Sequence, residues 1–289
     1  MYFLSYFCIM KVLPFKIPKP ENNTLIYQED IEVIFYDKLH QHEEIQISFI
    51  DNGSGTLIVG DTIHNYKSGD IIIIGSNLPH VFKSDSEANT PSKMMSLFFT
   101  KASFGEVFFQ LDELQELQSF FTKSLQGFTI TSIHETCIAL FHQLKKASRL
   151  NRFIFLLKIL KITNTATSKP LSNFSYNKQY SNSEGERMRN VFEYTINNFG
   201  KDISLKEISN IANMTKNAFC KYFKKRTNKT YFQFLNELRI ENACQILIKN
   251  PDSTIVEAAY RTGFNNISNF NRKFKELKRT TPSRYRTLH

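Results

Sequence analysis

The last third of this 289-residue chain repeats itself at an offset of 51 residues, and no other feature restricts the fold as much. Phe219 and Phe223 match Phe270 and Phe274, Lys221 matches Arg272, and Lys224 matches Lys275. Thr230 matches Thr281, Phe234 matches Tyr285, and Ala212 matches Gly263. Matched pairs in order, with residue types preserved, mark a duplicated supersecondary unit.

Each copy has the chemistry of a helix-turn-helix. In the first, Ser204-x-x-Glu207 is a capping box ahead of Leu205, Ile208 and Ile211. Asn213-Met214 supplies the turn and Thr215 caps a second helix over 215–225. There Phe219 and Phe223 point inward, while Asn217, Lys221 and Lys224 line the other side at i, i+4, i+7. Asn228 follows where a left-handed cap is wanted. In the second copy, Thr254-x-x-Glu257 opens a helix bearing Ile255, Val256 and Ala259, and Gly263 ends it. Asn265 or Asn266 then caps a helix over 267–277, with Phe270, Phe274 and Leu277 expected inside and Ser268, Arg272 and Lys275 outside. A long helix from about Tyr231 to Lys249 joins the copies, its apolar stripe being Leu235, Leu238, Ala243, Ile246 and Leu247.

Charge follows the repeat. Residues 184–289 hold 20 Lys and Arg against 10 Asp and Glu, while residues 1–183 hold 17 of each. The whole formal net charge of +10 therefore sits in the duplicated region. A basic domain beside a neutral one is the footprint of a polyanion binder joined to something else. Two outward faces suit base reading in a major groove: Lys216, Asn217, Lys221 and Lys224 on the first helix, Ser268, Asn271, Arg272 and Lys275 on the second. Arg272 can bind guanine bidentately and Asn217 suits adenine, whereas Lys221 is a flexible point charge that discriminates less. These could be merely solvated faces, but two equivalent ones in a basic domain favour contact with double-stranded DNA.

The remainder of the chain reads differently. Residues 25 to about 100 carry strand-like alternation at 31–38, 44–51 and 55–61 and a continuous apolar run at 70–75, with turns such as Asp51-Asn52-Gly53 between. Closely spaced strands of this kind suggest a small β-barrel or double-sheet roll. The period becomes helical over 108–121 and 132–147. Residues 163–183, rich in Ser, Thr and Asn, have linker chemistry. The four cysteines, Cys8, Cys137, Cys220 and Cys244, show no C-x-x-C spacing and read as reduced thiols of a cytoplasmic protein. The apolar start lacks a basic region and a cleavage site and is too short to span a bilayer; Met10 begins a more ordinary start, so residues 1–9 read as a start-codon artefact. Lys158 interrupts the richest apolar run, at 153–160, which argues against a membrane span.

The segments RIENACQIL (239–247), IVEAAYRTGF (255–264), SNFNRKFK (268–275) and TPSRYR (281–286) closely resemble the signature of the AraC/XylS family of transcription regulators. The resemblance implies two recognition helices entering successive major-groove segments, with Asn217, Lys221, Ser268 and Arg272 on base-reading positions. Two departures stand out: Asn228 and Arg279 occupy places where the family often has Gly, and Lys221 one where it often has Arg. Residues 40–61 and 69–85 are similar to the cupin-type sensing domain of many such regulators. Cupin enzymes hold a metal with a His-x-His pair, a nearby Glu and a distant His. Here His40, His42 and His80 fall in those places, but Gln46 replaces the acid, with Glu44 two residues earlier. On one strand, His40, His42, Glu44 and Gln46 would share a face. A neutral Gln is a poor substitute for a charge-balancing carboxylate, so a hydrogen-bonded cluster touching a small ligand is preferred to a metal site.

The sequence therefore leads to an α+β two-domain protein: a cupin-like β-barrel with accessory helices (10–162), a linker (163–183), and an all-α domain of two helix-turn-helix units joined by a long helix (184–289). The expected function is effector-responsive transcription regulation in the cytoplasm, with no cofactor, no metal, no catalytic residues and no membrane contact. The expected partners are DNA, a small-molecule effector (by resemblance, a carbohydrate), RNA polymerase, and a second copy joined through the helices at 108–121 and 132–160. Two alternatives remain open: a metal-dependent cupin enzyme fused to a DNA-binding domain, and a ligand-independent dimeric DNA-binding protein.

Overall fold

The computed structural model describes residues 24–85, 90–132, 135–173, 175 and 182–288. The doubtful start at 1–9 with Cys8, and residues 174 and 176–181 of the expected linker, lie outside the described residues.

Two antiparallel sheets form the N-terminal domain. The first has the order β1 (Ile26–Glu32), β7 (Ser92–Phe99), β2 (Ile45–Asn52), β5 (Ile71–Ile74), β8 (Phe128–Ile130) and β9 (Ser168–Pro170). The second has the order β4 (Thr62–Lys67), β3 (Ser54–Val59), β6 (His80–Ser84). Alternation assigns each side chain to a layer. Ile72 and Ile74 of β5 meet Leu57, Val59, Tyr66 and Phe82 between the sheets. Ile71 and Ile73 face the other way, towards Phe120 of α1 (Gln118–Ser124), Phe141 of α2 (Glu135–Leu144) and Ile159 of α3 (Arg149–Thr165). A strand covered on both faces explains the unbroken IIII run.

Three sequence expectations change here. The alternation at 31–38 does not form a strand: β1 covers 26–32 and stops because its partner β7 starts at Ser92, opposite Glu32. Val33 and Ile34 then turn to solvent and Phe35 dives between the sheets. The stretch 108–121 is helical but begins as two 3-10 turns, Phe108–Gln110 and Asp112–Leu117, separated by extended Leu111. The expected linker is structured at its start. Residues up to Thr165 belong to α3, β9 pairs with β8, and Leu171 is buried between the sheets. Buried Asp61 then takes up its polar groups, accepting from Ser172 Oγ (2.9 Å), Asn173 N (3.0 Å) and Asn173 Nδ2 (2.8 Å).

The C-terminal domain comprises α4 (Asn182–Asn198), α5 (Leu205–Ile211), α6 (Lys216–Thr227), α7 (Tyr231–Lys249), α8 (Ile255–Arg261), α9 (Ile267–Lys278) and α10 (Pro282–Leu288). Ser204 and Glu207 make the expected capping box, and Thr215, Thr254 and Asn266 cap α6, α8 and α9. Asn228 and Arg279 are both left-handed, with φ of 53° and 57°. The repeat is 51 residues in the second helices and 50 in the first, because the second turn is one residue longer. Gly263 (φ 86°) therefore corresponds to Asn213 (φ 51°), not to Ala212, and each supplies the left-handed turn. Leu277 lies at the surface rather than in the core.

Candidate functional site

The candidate recognition faces follow from the cores beneath them. Thr215 Oγ1 accepts from Ala218 N (3.3 Å) to start α6, and Phe219 and Phe223 are fully buried against Tyr231 and Phe234. With those rings fixed, Lys216, Asn217, Lys221 and Lys224 stand exposed on the opposite side. In α9, Asn266 Oδ1 accepts from Asn269 N (3.0 Å), Phe270 and Phe274 are buried, and Ser268, Asn271, Arg272 and Lys275 are exposed. The two faces are not electrostatically equal. Arg272 donates to Asn269 Oδ1 (2.8 Å) and lies 3.9 Å from Glu276, whose carboxyl is held below its ordinary range by Lys273. The α6 segment contains no acid.

Sequence reasoning missed the residues that mount these helices. Arg239 donates from Nε to Phe199 O (2.8 Å) and from its terminal nitrogen to Lys201 O (2.7 Å), fixing the approach to α5. Arg286 donates to Ser253 O (2.5 Å) and so fixes the approach to α8. Both stand at the ends of the signature segments, but one sequence does not reveal which carbonyls they meet. Gly263 lies so close to this cradle that a Cβ there would sit 2.5 Å from Phe199 O.

The structure brings all five candidate effector-site residues together, by a different route from the one expected. His40 and His42 precede β2, and an isolated bridge in which His40 and His80 exchange both backbone hydrogen bonds (3.1 and 2.9 Å) closes the cluster. Ring centroids lie 4.3 Å apart for His40 and His80, and 5.0 Å for His42 and His80. The nitrogens of the three histidines that could hold an ion lie within 4.8 Å of one another. His42 Nε2 is 3.1 Å from Gln46 Oε1, and Glu44 Oε2 is 3.8 Å from His42 Nδ1. Three imidazoles and an amide oxygen fit the donor set of a divalent ion, with Gln46 in the place of a carboxylate. His42 and His80 are 2% and 1% exposed, and His40 is partly buried.

The two domains meet along the small sheet. Leu39, Ile58, Ile63 and Val81 share one apolar cluster with Val191 and Phe192 of α4, Phe219 and Phe223 of α6, and Leu238 of α7. Lys38 Nζ meets Glu193 Oε2 (3.1 Å), Arg189 Nε donates to Leu39 O (2.8 Å), and Gln245 donates to Asn65 (2.6 Å). Lys249 of α7 bridges Ser54 and Asp85. A cleft of about 570 Å³ opens beside this seam, and one of about 370 Å³ lies between the first sheet and α1; neither includes a histidine of the cluster.

Comparison with known proteins matches both halves. A helix-turn-helix domain family matches residues 208–287, and an AraC-like ligand binding domain family matches residues 25–151. The first span takes in both α6 and α9, and the second takes in His40, His42, Glu44, Gln46 and His80. An uncharacterized HTH-type transcriptional regulator of Bacillus subtilis, YdeC, is 24% identical over 88% of this chain and 87% of its own. An uncharacterized HTH-type regulator of Pseudoalteromonas carrageenovora is 32% identical over 34% of this chain and 58% of its own. Among solved structures, ToxT of Vibrio cholerae aligns over 92% of this chain and 98% of its own at 13% identity, with a TM-score of 0.38.

Proposed function

The chain belongs to the AraC family of DNA-binding transcription regulators, with an AraC-like ligand-binding domain ahead of its helix-turn-helix units, and on that premise we propose how it works. The α6 and α9 helices enter successive major-groove segments on one face of the duplex. Lys216, Asn217, Lys221 and Lys224 contact the first, and Ser268, Asn271, Arg272 and Lys275 the second. What carries this reading is the pair of exposed faces, each rooted by two buried phenylalanines in the region that holds the chain's whole charge excess. Arg272, pre-oriented by Asn269, reads base edges; the lysines of α6 set position on the phosphates.

For the effector site our reading is His40, His42, Glu44, Gln46 and His80, supported by the approach of the three histidines and Gln46 and by the contact of the same segment with α4. A second reading puts a carbohydrate-sized effector in one of the two clefts, which have the volume for it. The protein acts in the cytoplasm as a regulator rather than an enzyme, contacting DNA and RNA polymerase. Among the described residues no helix is long and apolar enough to cross a membrane. Exposed Leu150 and Ile154 on α3 suit contact with a second copy, and sedimentation of the full chain checks that assembly.

The test is titration of the full chain onto DNA selected from a random pool, at several salt concentrations. About 4–8 phosphate contacts give a log–log slope of about −4 to −7. Undetectable or salt-insensitive binding contradicts the reading.

A further inference from the structure

We infer that the larger cleft, between the two domains, is a binding site for a small phosphorylated sugar, held by Lys83 on the β6 wall and Arg261 on the α8 wall. The inference deepens the cleft reading of the effector given above and rests on it. Its consequence for DNA rests on the regulator reading.

Size and position come first. The cleft has a volume of about 570 Å³, within the roughly 300–1,000 Å³ of small-molecule sites, and such sites favour seams between domains. One wall is the outward face of the small sheet, where Thr56 and Lys83 are paired across β3 and β6. The other comes from the C-terminal parts of α4, α7 and α8. Buried Ile58, Ile196 and Leu238 give the cleft an apolar floor, which suits the C–H face of a sugar ring. Thr56, Asn242 and Asn250 add a hydroxyl and two amides, which suit its OH groups.

Charge adds a second observation. Lys83, Lys249 and Arg261 line the cleft against a single acid, Asp85. Lys249 and Asp85 pair with each other, which leaves Lys83 and Arg261. Lys83 Nζ donates to Asn197 Oδ1 (2.6 Å), a neutral acceptor. Asp37 and Glu193 act on it from a distance, but both already hold Lys38, at 3.8 and 3.1 Å. Burial lowers the pKa of the Lys83 ammonium in spite of these two acids, and Lys38 adds to the lowering. Arg261, exposed at the end of α8, meets no carboxylate among the described residues. Two uncompensated cations on opposite walls call for a dianion. A phosphate ester carries about −1.5 to −2 charges at neutral pH and three acceptor oxygens. A guanidinium can hold two of those oxygens in parallel hydrogen bonds. A single carboxylate would leave one cation unmatched.

The two walls belong to parts of the chain that share no core. Lys83 stands on the small sheet of the ligand-binding domain, whereas Arg261 ends α8, two residues before the left-handed Gly263 that turns the chain towards α9. The apolar cluster of this second helix-turn-helix copy contains no residue of the ligand-binding domain. A ligand that spans the cleft therefore gives α8, and α9 behind it, a tie to the ligand-binding domain that their own core does not provide.

Calorimetric titration of the DNA-free full-length chain tests the site, with a panel of hexose and pentose phosphates, the matching free sugars and inorganic phosphate. At least one ester should bind at a single site per chain, about tenfold or more tighter than its free sugar and than inorganic phosphate. Lys83→Gln and Arg261→Gln should each weaken that binding about tenfold or more, and Lys161→Gln, on α3 outside the cleft, should leave it unchanged. Binding by no ester of the panel, or ester binding indifferent to both cleft substitutions, overturns the inference. Free sugars that bind as tightly as their esters overturn it too, while leaving a carbohydrate effector in a cleft standing. Hydrogen exchange with the bound ester then tests the tie. Exchange should slow in β3 and β6 and also in α8, and slowing confined to one wall overturns the bridge. DNA titration of the ligand-free chain separates the readings: lost DNA binding there counts against the regulator, not against the cleft.

Discussion

In the first helix-turn-helix copy, the buried sides of α5 and α6 share one apolar cluster with Leu39, Ile58, Ile63 and Val81 of the ligand-binding domain. In the second, Ala258, Ala259, Phe264, Phe270 and Phe274 close a separate cluster with Ile240, Ala243, Cys244 and Leu247 of α7. The local chemistry is nearly the same: a capped first helix, a left-handed turn residue, a capped second helix and a left-handed end. The surroundings are not. A duplicated unit can thus serve two purposes, one copy fastened to the sensing domain and the other folded on its own core beside it. The exposed faces divide likewise, since α6 offers lysines from a segment that contains no acid and α9 offers an arginine oriented by Asn269.

Truncation of the matched phenylalanines probes that division with the largest effect. Phe223→Ala and Phe274→Ala should each cost about 3–5 kcal/mol, because both are fully buried. Phe223→Ala should also speed hydrogen exchange in β3 and β6, while Phe274→Ala should speed it only in α7–α10. Equal spread from both substitutions would erase the distinction between shared and separate cores.

Next come the recognition faces. Arg272→Ala should cost about 1–3 kcal/mol on the selected site and relax preference at one or two base pairs. Lys221→Ala should weaken all sequences about equally, and Lys275→Ala should lower the salt slope by about 1. Competition with single-base variants at two salt concentrations distinguishes the three, and a Lys221 variant that loses base preference would reverse the assigned roles.

A smaller effect compares the helix ends. Left-handed backbone costs an ordinary residue roughly 1–2 kcal/mol, and Asn tolerates it better. Arg279→Gly should therefore stabilise by up to about 1 kcal/mol, and Asn228→Gly by only a few tenths. Chemical denaturation measures both.

The smallest effect lies at the seam between the domains. Burial pushes the His64 imidazole below its ordinary value, against the opposing pull of Leu171 O, Glu241 and Asp61; Lys278 lowers it further. A folded value below the unfolded one of about 6.5 means the unfolded chain binds the extra proton first. His64 thus contributes stability above about pH 6.5, and that contribution is lost as pH falls through its folded value. His64→Gln should flatten this limb in denaturation curves, and an unchanged limb would remove His64 as its source.

Much of the architecture was legible because short-range chemistry fixed it. The caps Ser204, Thr215 and Thr254 act on backbone groups three residues away, and Phe219, Phe223, Phe270 and Phe274 announce their buried side by period. What stayed hidden depends on partners far along the chain. The end of β1 is set by where β7 starts, 60 residues later in register, and the Ser and Asn of the expected linker are held by Asp61. The histidines were visible as candidates, but their assembly needed the bridge between His40 and His80. Arg189 carried no signal at all, since its acceptor, Leu39 O, is a main-chain atom 150 residues away.

In the proposed function, two unequal recognition helices of one chain read one face of DNA together. Methylation interference on the selected site, with the full-length protein and with Arg272→Ala, puts this arrangement to the test. Two patches of interference about 10–10.5 base pairs apart on one face are expected, with Arg272→Ala erasing the guanine contacts of one patch and sparing the other. A single patch, or two patches that both survive Arg272→Ala in a folded protein, would contradict the account.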